Sequence, residues 1–340
     1  MDCWFGKAVQ MRKTILALAT AVVLAHVPLY AIGTIKQVNL ANGRDDTNRI
    51  GSPIFDAANV PPLRFSVKAT YDRSAKIVRR GATNMFTKGP EYNLDKAVDL
   101  GALFTEALQT ESAAMGFRTS GASDGGWTID GTIKSVYLES KQIPYGATLF
   151  YGYMDVEFQV RGASAESQTR RLRIHNYFGG YNAGMGRKDE AEEALAHLLI
   201  EGAQEVIARL NRDVFKAAAH PTIDATVTRL GSGATANDLH RVGLSSSASA
   251  SETLLTMLIK EASENRRSAM IDALARLGSP DAVPVLASRY NTEDEDCRWY
   301  TLKAMDYIGG EAAMALVKSQ GIKDKDGGPR RLAHRIAGSP

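Results

Sequence analysis

Hydrophobic and polar positions follow two regimes along this chain, a mixed first half and a helical last quarter. From Asn93 onward Leu94, Ala97, Val98, Gly101, Phe104, Leu108 and Met115 recur at helical spacing, and Gly116 ends the run. That is the apolar stripe of an amphipathic helix. Alternating segments follow at 127–138, 149–160 and 169–178, and alternation with period two marks half-buried strands. A second helix is expected from Asp189, where Asp189 and Glu192 have capping-box spacing. Its residues Ala191, Leu195, Leu198, Leu199, Val206 and Leu210 line one face. Upstream, 34–41 reads as a first strand broken by Asn42-Gly43-Arg44, and 63–70 and 76–80 as short strands. The rest of 43–90 has no clear period. Strand, helix, three strands, helix predicts an α+β domain over 32–216. Its expected form is a two-layer sandwich, an antiparallel sheet covered on one face by two helices.

The alternation also predicts what the other face carries. Phe150, Met154, Val156, Phe158 and Val160 point one way, with Tyr151, Tyr153, Asp155 and Glu157 opposite. In the next strand Leu172, Ile174 and Phe178 alternate with Arg171, Arg173, His175 and Tyr177. A turn at 162–166 places Asp155 and Glu157 across from Arg171, Arg173 or His175, and Tyr151 and Tyr153 facing Tyr177. Opposite charges across a ladder contribute a few tenths to about 1 kcal/mol. The outer face thus has a charged half and a tyrosine-rich half, and Tyr151, Tyr153, Arg173, His175 and Tyr177 are the candidate binding residues. Two uses fit it: a recognition surface, since tyrosines bury area at low entropic cost, or packing against a second domain or the 43–90 segment.

The stretch 217–252 is rich in Gly, Ser, Thr and Ala and includes the run Ser245-Ser-Ser-Ala-Ser-Ala-Ser251. It reads as a linker with at most one short helix. A repeat then begins. Arg267-x3-Ile271-x-Ala273-Leu274-x2-Leu277-Gly278 returns 31 residues later as Arg298-x3-Leu302-x-Ala304-Met305-x2-Ile308-Gly309, with a shorter echo at Arg331-x-Ala333-x3-Ala337-Gly338. In each full repeat a glycine closes one helix and a second amphipathic helix follows, at 281–290 and 311–319. Such a helix pair repeated about every 30 residues is a helical solenoid, here expected over 253–340. These residues resemble the HEAT-like repeats named after phycobilisome lyases. The resemblance implies a protein-binding scaffold, and no residue of a lyase site carries over.

In the first domain Val38-Asn-Leu40, Asn42-x-Arg44, Ile50-Gly51 and Met115-Gly116-Phe117, followed by strands and a final helix, resemble the small envelope proteins of the YajG lipoprotein type. That family's early motif reads Asp-x-Arg where this chain has Asn42, and its lipidated cysteine is missing here. The resemblance implies a non-catalytic envelope role with no defined ligand.

Residues 11–31 change the expected compartment. Arg12 and Lys13 precede an apolar run over 15–27, and Leu29-Tyr30-Ala31 ends in a small residue. This is the layout of a secretory signal, too short to span a bilayer comfortably. Residues 1–31 are therefore expected to be removed, with Met11 a second candidate start, giving a periplasmic or secreted protein. Only Cys297 follows that segment, so no intramolecular disulfide is expected. Removing 1–31 lowers the net charge from +3 to about +1, which makes no electrostatic case for nucleic acid or anionic lipid. No later run is apolar for long enough to cross a membrane.

Catalytic motifs are weak. Gly121-Ala-Ser123-Asp-Gly125 matches the hydrolase elbow by letter, but that elbow needs a strand before the serine and a helix after it, the reverse of the order here. The glycine-rich 179–188 segment fits neither the P-loop nor the dinucleotide fingerprint, and Asp189 and Glu190 would repel a phosphate there. His175, His197, His220, His240 and His334 are scattered without metal-ligand spacing. Cys297 reads as a packed cysteine. No catalytic set, metal or cofactor is expected. The sequence points to an adaptor that binds envelope proteins. The alternative is an envelope enzyme acting on a small molecule or polymer, which a cleft between the domains with converging carboxylates would favour.

Overall fold

The structure, a computed structural model, describes residues 32–72, 75–80, 90–119, 126–142, 148–162, 170–182 and 187–338. The signal-like segment, the Gly121–Gly125 motif and most of the expected 162–166 turn lie outside these residues.

The first domain is built on three long strands, β6 (Trp127–Gln142), β7 (Thr148–Arg161) and β8 (Arg170–Asn182), in an antiparallel meander. Its register pairs Asp155 with His175, Glu157 with Arg173 and Tyr153 with Tyr177, as the charge pattern predicts. The sheet as a whole is mixed, however, not antiparallel. β3 (Leu63–Ala69) and β4 (Val78–Arg80) both lie parallel to β6, and β1 (Ile32–Ile35) lies parallel to β5 (Glu91–Leu94). A parallel pair requires a crossover, and helix α1 (Leu100–Ala114) lies between β3 and β6 in the chain. Alternation along one strand does not encode the direction of its neighbour. A two-residue pair, β2 (Phe55–Asp56) with β9 (Ala218–Ala219), ties the start of the domain to its end.

Helix α1 begins later than its periodicity implies. Glu91–Leu94 is taken into the sheet beside β1, and Asp99 then caps the helix by accepting from the backbone N–H of Gly101 (2.9 Å) and Ala102 (3.1 Å). Helix α2 (Lys188–Leu210) has its capping pair two residues earlier than expected, the Arg187 N–H donating to the Glu190 carboxylate at 2.5 Å. Both helices cover the same sheet face, α1 over β3 and α2 over β7 and β8. This is the expected α+β sandwich.

The expected linker is helical. Helices α3 (Pro221–Arg229), α4 (Ala236–Leu244) and α5 (Ala248–Lys260) fill it, and Ile223, Leu239, Val242, Leu244 and Ala250 are buried. Small residues here permit close packing: a Cβ on Gly243 would lie 2.8 Å from Ala273 Cα of the next inner helix. Helices α6 (Glu264–Leu277), α7 (Ala282–Arg289), α8 (Glu295–Ile308), α9 (Gly310–Ser319) and α10 (Gly327–Ile336) continue the array. Gly278 and Gly309 adopt positive φ (66° and 71°) after α6 and α8, the helix-closing role their repeat position predicts. The result is two rows, α4, α6, α8 and α10 inside and α5, α7 and α9 outside.

Candidate functional site

The inner helix row packs on the open face of the sheet and around its β8 edge. Tyr151, Tyr153 and Tyr177 are only 5%, 2% and 3% exposed. Tyr151 lies 5.7 Å from the Trp299 ring and Tyr177 5.9 Å from that of Tyr307, both on α8. The Arg335 guanidinium of α10 sits 4.4 Å over the Tyr153 ring. The reading of these tyrosines as an open recognition surface is therefore corrected. They are the contact between the two domains, because a short helical array needs an apolar surface on which to close its core.

Arg173 and His175 remain at the rim of that contact. Arg173 grips Asp155 through Nε (3.0 Å) and Nη2 (2.6 Å). His175 Nδ1 lies 3.1 Å from Asp306 of α8, which also accepts from the Tyr177 hydroxyl at 3.0 Å. The bond to Asp306 outweighs partial burial and raises the His175 pKa. Of the five candidate residues the structure thus brings Tyr153, Arg173, His175 and Tyr177 around one cleft under α10, while Tyr151 packs beneath Trp299.

A second polar region, absent from the sequence reading, lies deeper. Glu205 of α2 accepts from Arg276 of α6 (2.9 Å) and Lys303 of α8 (2.7 Å), and from the Tyr307 hydroxyl. Arg276 also contacts Glu201 (3.0 Å) and Asp272 (2.8 Å), and Lys303 reaches Asp272 at 2.8 Å. Arg276 can only donate, so His240 Nδ1 accepts from it (2.7 Å) and His240 Nε2 carries the hydrogen given to Gln204 Oε1 (2.6 Å). Gln204 in turn donates to Glu111 (2.8 Å), which Arg44 holds from the far side. One polar chain thus joins α1, α2, α4, α6 and α8.

The two α2 carboxylates titrate apart. Burial alone would raise Glu205, but Lys303 and Arg276 outweigh it and hold it at about 2. Glu201 is pushed up to about 7 by burial, against the pull of Arg276 and Lys303. Burial, then Arg276 and Lys303, keep His240 well below the ordinary histidine value and therefore neutral. Beside this network a cavity of about 290 Å³ opens between the domains, lined by Asp45, Phe178, His197, Glu201, Asp272 and Tyr300 among others. Glu201 is the group there able to hold or yield a proton near neutrality.

Glu293, Asp294 and Cys297 bring three ligand-type atoms within 4.8 Å of one another. Arg267 and Arg289 already bind Glu293 at 2.8 Å each, Asp294 caps Cys297, and burial raises the thiol pKa. This donor set is committed to helix and ion-pair contacts and does not fit a metal. Cys297 is buried, as expected of a packed cysteine.

Residues 251–337 match the family model described as HEAT repeats. No curated protein matches the chain. Solved structures similar to it include an uncharacterized protein (11% identity, TM-score 0.30, 44% of this chain and 93% of that one). Others are a protein from Xanthomonas campestris (10%, 0.32, 52% and 92%) and a minor lipoprotein from Acinetobacter baumannii (8%, 0.24, 46% and 98%).

Proposed function

We propose that this is an exported envelope protein that works by binding another envelope protein, with its helical array as the docking module. The observation that carries this reading is the HEAT-repeat match over 251–337, joined to an outer row whose surface the first domain leaves open. Such arrays are interaction scaffolds. Ile259 on that row is 59% exposed and stands with Leu255 and Leu277 near a groove of about 560 Å³. Export rests on the basic, apolar and small-residue order of residues 11–31.

The test places a photo-crosslinking residue at Leu255 or Ile259, or at Lys68 on the uncovered half of the sheet, in intact envelopes. A discrete cross-linked protein from the outer row supports the reading. Full-length, folded and exported protein that cross-links to nothing from any of these positions overturns it.

A second reading is favoured by one observation. Glu201 and Asp272 converge on the interdomain cavity beside Phe178 and Tyr300, and polar groups on a concave partly aromatic wall are the usual makings of a small-molecule site. In this reading the protein binds or acts on a small compound there.

A further inference from the structure

The charges around the cavity do not balance. Three largely buried carboxylates gather beside it, Glu201 and Glu205 from α2 and Asp272 from α6, while Asp45 stands exposed at the rim and accepts from Thr47 and Asn48. Two cations answer them, Arg276 from α6 and Lys303 from α8. Both are fully engaged, Lys303 by Glu205 and Asp272, Arg276 by Glu201, Glu205, Asp272 and His240. His197 of α2 and His240 of α4 add no charge, since burial lowers the pKa of each. One oxygen of Glu201 faces Arg276. The other has no hydrogen-bond partner among the described residues, and the side chain is 14% exposed.

An unbalanced carboxylate in a low-dielectric cleft is stabilised by a proton or by a cation. A bare divalent ion does not fit, because such ions take six or more oxygens at about 2.0–2.6 Å. Among the described residues no group of three acidic or histidine atoms around this cavity comes within 4.8 Å of one another. The volume of about 290 Å³ leaves room for a bulkier cation with a carbon frame, and Phe178 and Tyr300 are among the residues lining it. We propose that the interdomain cavity binds a small organic ammonium compound, its cationic nitrogen on the free oxygen of Glu201 and its carbon frame against Phe178 and Tyr300.

This rests on the small-molecule reading and is independent of the adaptor reading. The experiment is titration calorimetry of the mature chain at pH 7 with putrescine, with the neutral 1,4-butanediol and with magnesium chloride as comparisons. Putrescine is expected to bind and the diol and magnesium are not. Because burial pushes the Glu201 pKa up to about 7, binding an ammonium group there should release protons, measured in two buffers of different ionisation heat. Glu201→Gln should weaken putrescine at least tenfold and abolish the proton release. Asp45→Asn, at the rim, should weaken it less, and exposed Asp224→Asn should change nothing. Equal affinity in Glu201→Gln that remains folded by circular dichroism, or binding of magnesium in place of the amine, overturns the proposal. If putrescine fails while a neutral or anionic fragment enters the cavity, the ammonium assignment falls and the small-molecule reading stands. If no fragment binds, both fall.

Discussion

The hydroxyl of Tyr307 accepts from the backbone N–H of Tyr177 at 3.3 Å and donates to the buried carboxylate of Glu205. Two turns earlier on the same helix, Tyr300 donates to the carbonyl of Gly179 at 3.3 Å. β8 is the last strand of the sheet, so its outward backbone groups have no strand to pair with. Unpaired edges invite association with other chains. Helix α8 supplies two phenols in place of a neighbouring strand.

Tyr307→Phe should therefore cost more than a typical conservative change. It leaves the Tyr177 N–H without a partner in a buried seam and takes one of two donors from Glu205 Oε2, which keeps Asn176 at 3.1 Å, and an unmet buried polar group costs about 1–3 kcal/mol. The urea midpoint should fall accordingly. Tyr300→Phe should cost less, because it removes a single bond from a partly exposed site.

Lys303→Met should be among the most damaging single changes. Lys303 is fully buried between Glu205 and Asp272, and removing one partner of a buried pair costs about 3–5 kcal/mol through the charge left behind. The expected result is a large loss in chemical denaturation with far-ultraviolet circular dichroism retained under native conditions.

Stability should carry a pH signature from Glu201. Its folded pKa, about 7, lies above its unfolded value, so its contribution is complete below the ordinary glutamate range and is lost as pH rises through about 7. Glu201→Gln removes that loss and should be more stable than the parent at pH 8, by on the order of 2 kcal/mol. His240 acts the other way: its lowered pKa makes its neutral form stabilising above the ordinary histidine value, a contribution lost as the pH falls. Denaturation curves of both chains between pH 5.5 and 8 separate the two.

A chain ending at Gly231 should not behave as an independent domain. It would bare Tyr151, Tyr153, Tyr177 and the β8 edge together. Light scattering after size exclusion should show aggregation, where an autonomous sandwich would run as a monomer.

Much of this was legible residue by residue. The 31-residue spacing places Arg267 and Arg298 alike, and each binds an acid 26 positions on, Glu293 and Asp324, at 2.8 Å. The 31-residue repeat offset also relates Asp272 to Lys303, which pair at 2.8 Å. Comparing the unassigned positions of the two repeats would have shown opposite charges on one inner face. Arg276 and Glu205 left no such trace, since their partners come from a different domain. The 217–252 stretch misled because glycine, serine and alanine serve flexible chain and tight helix packing alike.

Local chemistry determined what each segment wants. Alternation placed tyrosines and charges on one sheet face and set the meander register, and heptad-like stripes with closing glycines specified the repeats. These patterns depend only on near neighbours, because side-chain direction follows the backbone period. Tertiary structure alone decided where the faces went: parallel pairing of β3 and β4 onto β6, the helical array laid on the tyrosines, and two cations set among three carboxylates. Those outcomes depend on which distant surfaces share a buried volume, and a single chain read in order carries no record of that.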